Sequence, residues 1–291
     1  MQHNLIRLIP FLFVFLWSTG FIAAKYALPF IEPFYLLFIR MVLTTVVFML
    51  LGFAFKAKPV SPVQAAHQMV TGLLVHGAYL GGVFAAIKWG MPAGITAIIV
   101  GVQPVLTAFL GWAFLGSHLH RTQWAGLGLG LAGVISVLLT TGQLDVDRLN
   151  WAAMPAALIA LFGISFGTLY QKRFGADVHL LSGSLWQYLS VTLLMGIMAW
   201  TFETREVIWA PQLIGALAWL VFGLSVTAVL LLMYMIREGE TAKVASYFYL
   251  VPPVASIEAW ILFDEALSIV SITAICVTVF GVYLVIRKKI E

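Results

Sequence analysis

Charge is scarce in this chain: Asp, Glu, Lys and Arg make up 10% of its 291 residues, while 62% are hydrophobic. A soluble domain carries about 25% charged and about 45–50% apolar residues, so a mean hydropathy of +1.01 excludes a water-soluble fold. Cysteine is nearly absent too. The one thiol, Cys276, cannot close an intramolecular disulfide or supply a CxxC metal site. Sixteen Lys and Arg leave a net charge of +4, but they are scattered singly and form no basic stripe for nucleic acid. The chain has no phosphate-binding loop, no H-E-x-x-H and no metal-ligating cluster. No cofactor is expected, and any ATP-driven work would need a separate subunit. The N-terminal stretch has no A-x-A cleavage site at a plausible distance and reads as the first retained span.

What is present is a succession of apolar runs, each close to the ~20 residues that cross a bilayer. Charged residues, Gly and Pro divide them into ten candidate helices, at 5–28, 34–53, 66–87, 94–115, 120–140, 151–170, 180–202, 211–235, 242–263 and 267–286. The second five echo the first. "IKWGMPA" (87–93) aligns with "IREGETA" (236–242) at an offset of 236 − 87 = 149, which also pairs Pro104 with Pro253 and Phe114 with Phe263. The offset is 148 for "AGV" (132–134) and "FGV" (280–282), and 145 for "WSTGF" (17–21) and "FGISF" (162–166). Each half, 1–143 and 144–291, therefore holds five spans, and an odd number sends the second half in from the opposite side. The expected fold is an all-α integral membrane protein of ten transmembrane helices, arranged as two inverted five-helix repeats. Secondary transporters are often built this way, with the substrate site near the midplane. With a cytoplasmic N-terminus, eleven basic residues lie inside and only Lys25, Lys88, Arg148 and Arg205 outside. That bias places both termini in the cytoplasm of a cell (inner) membrane.

The stretches "LWSTGFIAAKYAL" (16–28), "EPFYLLFIRM" (32–41) and "LFDEALS" (262–268), with the ten spans, resemble the drug/metabolite transporter superfamily. The closest branch is its ten-helix EamA-type group, and the resemblance covers essentially the whole chain. The second half carries that family's acidic turn residue as Glu265; the first half departs from the pattern with Gly116. The resemblance implies export of amino acids or related small metabolites, with substrates that differ widely between members.

Pro104 and Pro253 fall near the middle of their spans. A proline there removes a backbone hydrogen bond and kinks the helix, which is tolerated at membrane depth only where protein lines a cavity. They are the candidate kinks of a gated central site. Candidate lining residues at similar depth are Trp17, beside Ser18 and Thr19; His76 and Tyr79, three apart; Gln103; Trp186 and Gln187; and Tyr247. His76 is an ionisable group inside a span and a functional candidate by default, suited to bonding a substrate or taking up a proton. Arg40 and Glu258 are the two charges placed well inside spans, roughly 5 Å and 8 Å outside the midplane by a rise of ~1.5 Å per residue. They are expected to pair with each other, unless Arg40 holds a substrate carboxylate or Glu258 reaches the outer headgroups.

Two motifs read as packing. In "GLGLGLAG" (126–133), Gly126 and Gly130 form a close-approach face for another helix, expected within the monomer, with dimerisation as the alternative. "GISFG" (163–167) matches G-x-S-x-G but lies inside a membrane helix rather than on a strand–turn–helix elbow. The expected activity is not enzymatic: a secondary transporter exporting a small amphipathic metabolite, with a proton as candidate coupling ion and a monomer or weak homodimer in lipid. A passive channel of the same architecture is the alternative, and an intramembrane hydrolase using Ser165 and His76 a remote one.

Overall fold

The computed structural model describes residues 2–91, 93–140, 150–263 and 268–287. Its helical rods are α1 (Gln2–Ala27), α2 (Pro33–Ala54), α3 (Pro62–Lys88), α4 (Ala93–Gly101 continued by Gln103–Leu115) and α5 (Arg121–Thr140). They are followed by α6 (Trp151–Phe174), α7 (Leu180–Phe202), α8 (Pro211–Glu238), α9 (Thr241–Ser246 through Val251–Phe263) and α10 (Ile269–Ile286). Among the described residues nine such stretches are long and apolar enough to cross a membrane, and α1 contributes a shorter apolar helix, Leu8–Ala24. Their outward faces bear large apolar side chains such as Ile269, 83% exposed, and Phe53, 75% exposed. A soluble protein does not present such a surface. Arg148, Glu265 and the boundary between residues 143 and 144 lie outside the described residues.

The rods start where the sequence permits it. Pro33, Pro62 and Pro211 each occupy a first helical position, where the missing N–H is not needed. Ser61 and Gln64 close a capping box ahead of α3. Gly116 ends α4 with a left-handed φ of +65°, a conformation that disfavours a Cβ. This accounts for glycine where the family pattern led one to look for an acid.

Loops identify the two ends of the bundle. At one, Glu203 beyond α7 has a fully buried side chain that accepts the N–H groups of Phe34 (2.8 Å) and Tyr35 (2.6 Å) and the Nζ of Lys88 (3.1 Å). Glu32 accepts from the Thr204 N–H, the Thr204 hydroxyl and the Arg205 N–H at 2.7–2.9 Å. Burial raises the Glu32 carboxyl, but the Thr204 hydroxyl, those two N–H groups and Lys88 outweigh it and hold the group below its ordinary 4.5. Ile31 and Val207 add an isolated bridge. At this clasped end α1, α3 and α7 finish, while α2 and α8 begin. At the opposite end Ser182 donates to the Lys58 carbonyl and Lys172 to the Arg237 carbonyl, both at 2.6 Å.

The tightest packing joins α5 to α10. A Cβ on Gly281 would stand 2.5 Å from Gly130 N and 2.7 Å from Gly126 O. A Cβ on Gly133 would stand 2.8 Å from Thr278 N and 3.0 Å from Ala274 O. Gly281, Thr278 and Ala274 each lie 148 positions after Gly133, Gly130 and Gly126 (281 − 133 = 278 − 130 = 274 − 126), so the two contacts are one contact made reciprocally. Likewise the Thr45 and Thr192 hydroxyls of α2 and α7 lie 3.2 Å apart. The glycine-rich motif is an internal packing face, as its spacing suggested.

The helices are interrupted in matched places. α3 contains a π-helical segment at Leu73–Ala78 and α8 one at Leu220–Ala228. α4 breaks at Val102, and α9 passes through a 3₁₀ turn at Tyr247–Leu250. Pro104 and Pro253 do not sit at the centre of continuous bent helices. Each lies in the first turn of the segment that follows its break, where the absent N–H does least harm.

Candidate functional site

Arg40 is the starting point, because a guanidinium in the middle of an apolar bundle has to be held by something. It is only 7% exposed, and its Nε donates to Ser225 Oγ at 2.8 Å. Its two terminal nitrogens make no hydrogen bond among the described residues, and no carboxylate forms an ion pair with it there. Tyr79 and Tyr188 are the groups near enough to act on its charge. The Tyr188 hydroxyl donates to the Ser225 carbonyl at 3.1 Å, and its ring stacks on His76 at 4.8 Å between centroids. His76 is 2% exposed, and its Nε2 has no hydrogen-bond partner.

The two π segments create this arrangement. A π turn widens the helix locally and redirects its side chains, and such turns recur at functional sites. His76 sits in the first and Ser225 in the second, at the same 149-residue offset that relates the two halves (225 − 76 = 149). Gln187 stands beside His76 as Arg40 stands against Ser225. One wall is aromatic: the Trp17 ring lies 5.1 Å from Phe13 and 5.5 Å from Phe248 in the 3₁₀ turn of α9. Trp17 also reaches Tyr79.

The structure thus gathers Trp17, Arg40, His76 and Tyr79 at one depth. Gln187 borders that group at His76, and the other candidates lie apart from it. Gln103 is buried and its amide reaches only Thr107, one turn along its own helix, at 3.4 Å. Among the described residues Trp186 makes no hydrogen bond, and Tyr247 packs between two apolar clusters without one. Gln187 donates to Gln68 (2.6 Å) and Gln171 (3.3 Å), forming an amide cluster nearer the unclasped end. In that cluster Gln68 Nε2, Gln187 Oε1 and Ser184 Oγ are buried without partners. The expected Arg40–Glu258 ion pair is absent: Glu258 Oε1 lies 2.7 Å from Ser18 Oγ, and its Oε2 is buried without a partner. Ser165 Oγ and His76 Nε2 are both unpartnered, so they do not form a nucleophile–base pair. Gly163 and Gly167 instead let α6 close onto Leu74, Val75 and Ala78. Sequence reasoning missed Ser225 and Tyr188, although the repeat offset from His76 leads to the first.

The model of the EamA-like transporter family matches residues 6–139 and, a second time, residues 151–287. The chain belongs to that family. As an EamA-like transporter it is a multi-pass membrane protein and not an enzyme. It is 31% identical over 236 residues to the uncharacterized inner membrane transporter YedA of Escherichia coli K12, covering 80% of this chain and 74% of that one. It is 25% identical over 295 residues to a probable amino-acid metabolite efflux pump of the same organism, covering 93% of each. A solved crystal structure superposes with a TM-score of 0.80 over 97% of this chain and 96% of the other. At 20% identity that likeness establishes the fold alone.

Proposed function

We propose that this transporter exports an amino acid or a related small carboxylate-bearing metabolite, by alternating access between two inverted five-helix halves. The observation that carries the substrate class is Arg40. A cation deep in a span is normally paired with an anion, and here no carboxylate among the described residues forms an ion pair with it. The substrate's carboxylate supplies that anion through a charge-assisted, bidentate contact to the free terminal nitrogens. The Trp17–Phe13–Phe248 wall receives its apolar part. The name of the efflux-pump relative agrees with this class. The reciprocal α5–α10 glycine contacts, the Thr45–Thr192 bond and the paired breaks support two related halves meeting at a local twofold axis.

The test is a comparison of medium from cells with and without the protein, resolved by mass spectrometry. Amino acids should accumulate outside only with the transporter, and against their gradient. Mere equilibration would make it a facilitator, and an unchanged profile would remove the amino-acid reading.

We further propose cytoplasmic termini, from the excess of basic residues at the unclasped end. In a Cys276→Ser background, Arg205→Cys at the clasped end should react with an impermeant thiol reagent added to intact cells. Labelling only after permeabilisation would reverse the orientation.

A further inference from the structure

Ser18 Oγ lies 2.7 Å from the carbonyl oxygen of Phe15 and 2.7 Å from Glu258 Oε1. A hydroxyl has one hydrogen to donate, and a carbonyl can only accept. Ser18 therefore cannot donate both contacts. Helical serines and threonines routinely donate back to a carbonyl one turn earlier, as Thr19 does to Leu16 at 2.6 Å. With the Ser18 hydrogen given to Phe15, a hydrogen on the Glu258 carboxyl group would complete the second contact. The rest of the site agrees. Glu258 is 7% exposed, its Oε2 is buried with no donor, and no cation forms an ion pair with it among the described residues. An ionised carboxylate held like that would be strongly disfavoured.

The surroundings offer little to compensate a charge. α1 presents Ser18; Lys25, two turns further along, has a side chain outside the described residues. α5 carries no ionisable residue after Arg121 at its opposite end, and α10 holds only Cys276 and Tyr283. Arg40 of α2 turns its Nε to Ser225 and forms no ion pair with Glu258 among the described residues.

We propose that Glu258 is the proton carrier of this transporter: export is exchanged for a proton that rides on the Glu258 carboxyl, a site separate from Arg40. The inference rests on the exporter reading for its direction, and on the Ser18 geometry for its place. In the loaded state the O–H bond is intact and its hydrogen is shared with Ser18 Oγ, 2.7 Å from Glu258 Oε1. When the site opens to the other side, that bond breaks, the proton passes to water and a carboxylate remains. The Ser18 hydroxyl then swings from Phe15 to stabilise it, and the reverse sequence reloads the proton. Water is the only other reactant.

The test uses the full-length protein purified into liposomes. Infrared spectra in H₂O and D₂O should show the carbonyl stretch of a protonated carboxylic acid, absent from Glu258→Gln and shifted in Ser18→Ala, where its hydrogen-bond partner is gone. A uniformly labelled amino-acid mixture is then placed inside the vesicles with a trapped pH dye. Its efflux should acidify the lumen of wild-type vesicles, and Glu258→Gln should lose at least about tenfold of that signal. Arg40→Met should lose amino-acid efflux while keeping the infrared band. A wild-type spectrum identical to that of Glu258→Gln, or acidification undiminished in that variant, would overturn the proposal. If no amino acid moves in the wild type, the substrate reading falls by itself and the infrared band alone decides where the proton resides.

Discussion

Arg40→Met is expected to weaken the half-saturation of export by roughly 10- to 150-fold, because a hydrogen bond to a charged group contributes about 1.5–3 kcal/mol at 1.4 kcal/mol per tenfold. The same substitution should leave the melting temperature of the detergent-solubilised protein unchanged or raised. Methionine keeps the length of the side chain and removes a buried cation that has no counter-ion among the described residues. The two readouts together separate a binding role from a structural one. A residue retained for packing would lower the melting temperature and spare transport. Export with unaltered concentration dependence in Arg40→Met would end the carboxylate assignment.

Gly281→Val should be among the most damaging single substitutions in the chain. The new side chain would meet backbone, Gly130 N and Gly126 O, and backbone cannot rotate out of the way as a side chain can. Overpacking generally destabilises by about 1–3 kcal/mol, and with two rigid helices on both sides the upper end of that range is expected. Gly133→Val, its reciprocal, should behave alike. Gly128→Ala provides the control, since a Cβ there meets nothing within 4 Å and surface changes of that kind stay within about 0.5 kcal/mol. Thermal unfolding followed by size-exclusion chromatography distinguishes them. Equal melting temperatures for Gly281→Val and Gly128→Ala would mean that α5 and α10 do not meet as described.

The rods were legible in the sequence because hydrocarbon thickness sets their length, and the doubling because Pro104 and Pro253 keep their offset. The π segments were not. "LLVHGA" has the composition of an ordinary α-helix, and a widened turn is selected by what packs on it, here Tyr188 on His76. The mistaken Arg40–Glu258 pairing has a related cause. Counting residues estimates a side chain's height in the membrane but not the direction in which it points around its helix, and Arg40 turns to Ser225 while Glu258 turns to Ser18.

Arg40 and Gln187 lie 187 − 40 = 147 positions apart, the spacing that also separates Thr45 from Thr192. Gln187, beside His76, thus holds in the second half the place that Arg40, against Ser225, holds in the first. A protein assembled from two identical halves would set two guanidiniums around one axis, repelling each other and offering an incoming anion two equivalent positions. Glutamine in the second half removes that repulsion and leaves a ligand one way round to bind. Only a fused chain has this freedom, since a homodimer must repeat in one subunit whatever it places in the other. Joining the halves end to end is what allows a symmetric frame to hold an asymmetric charge.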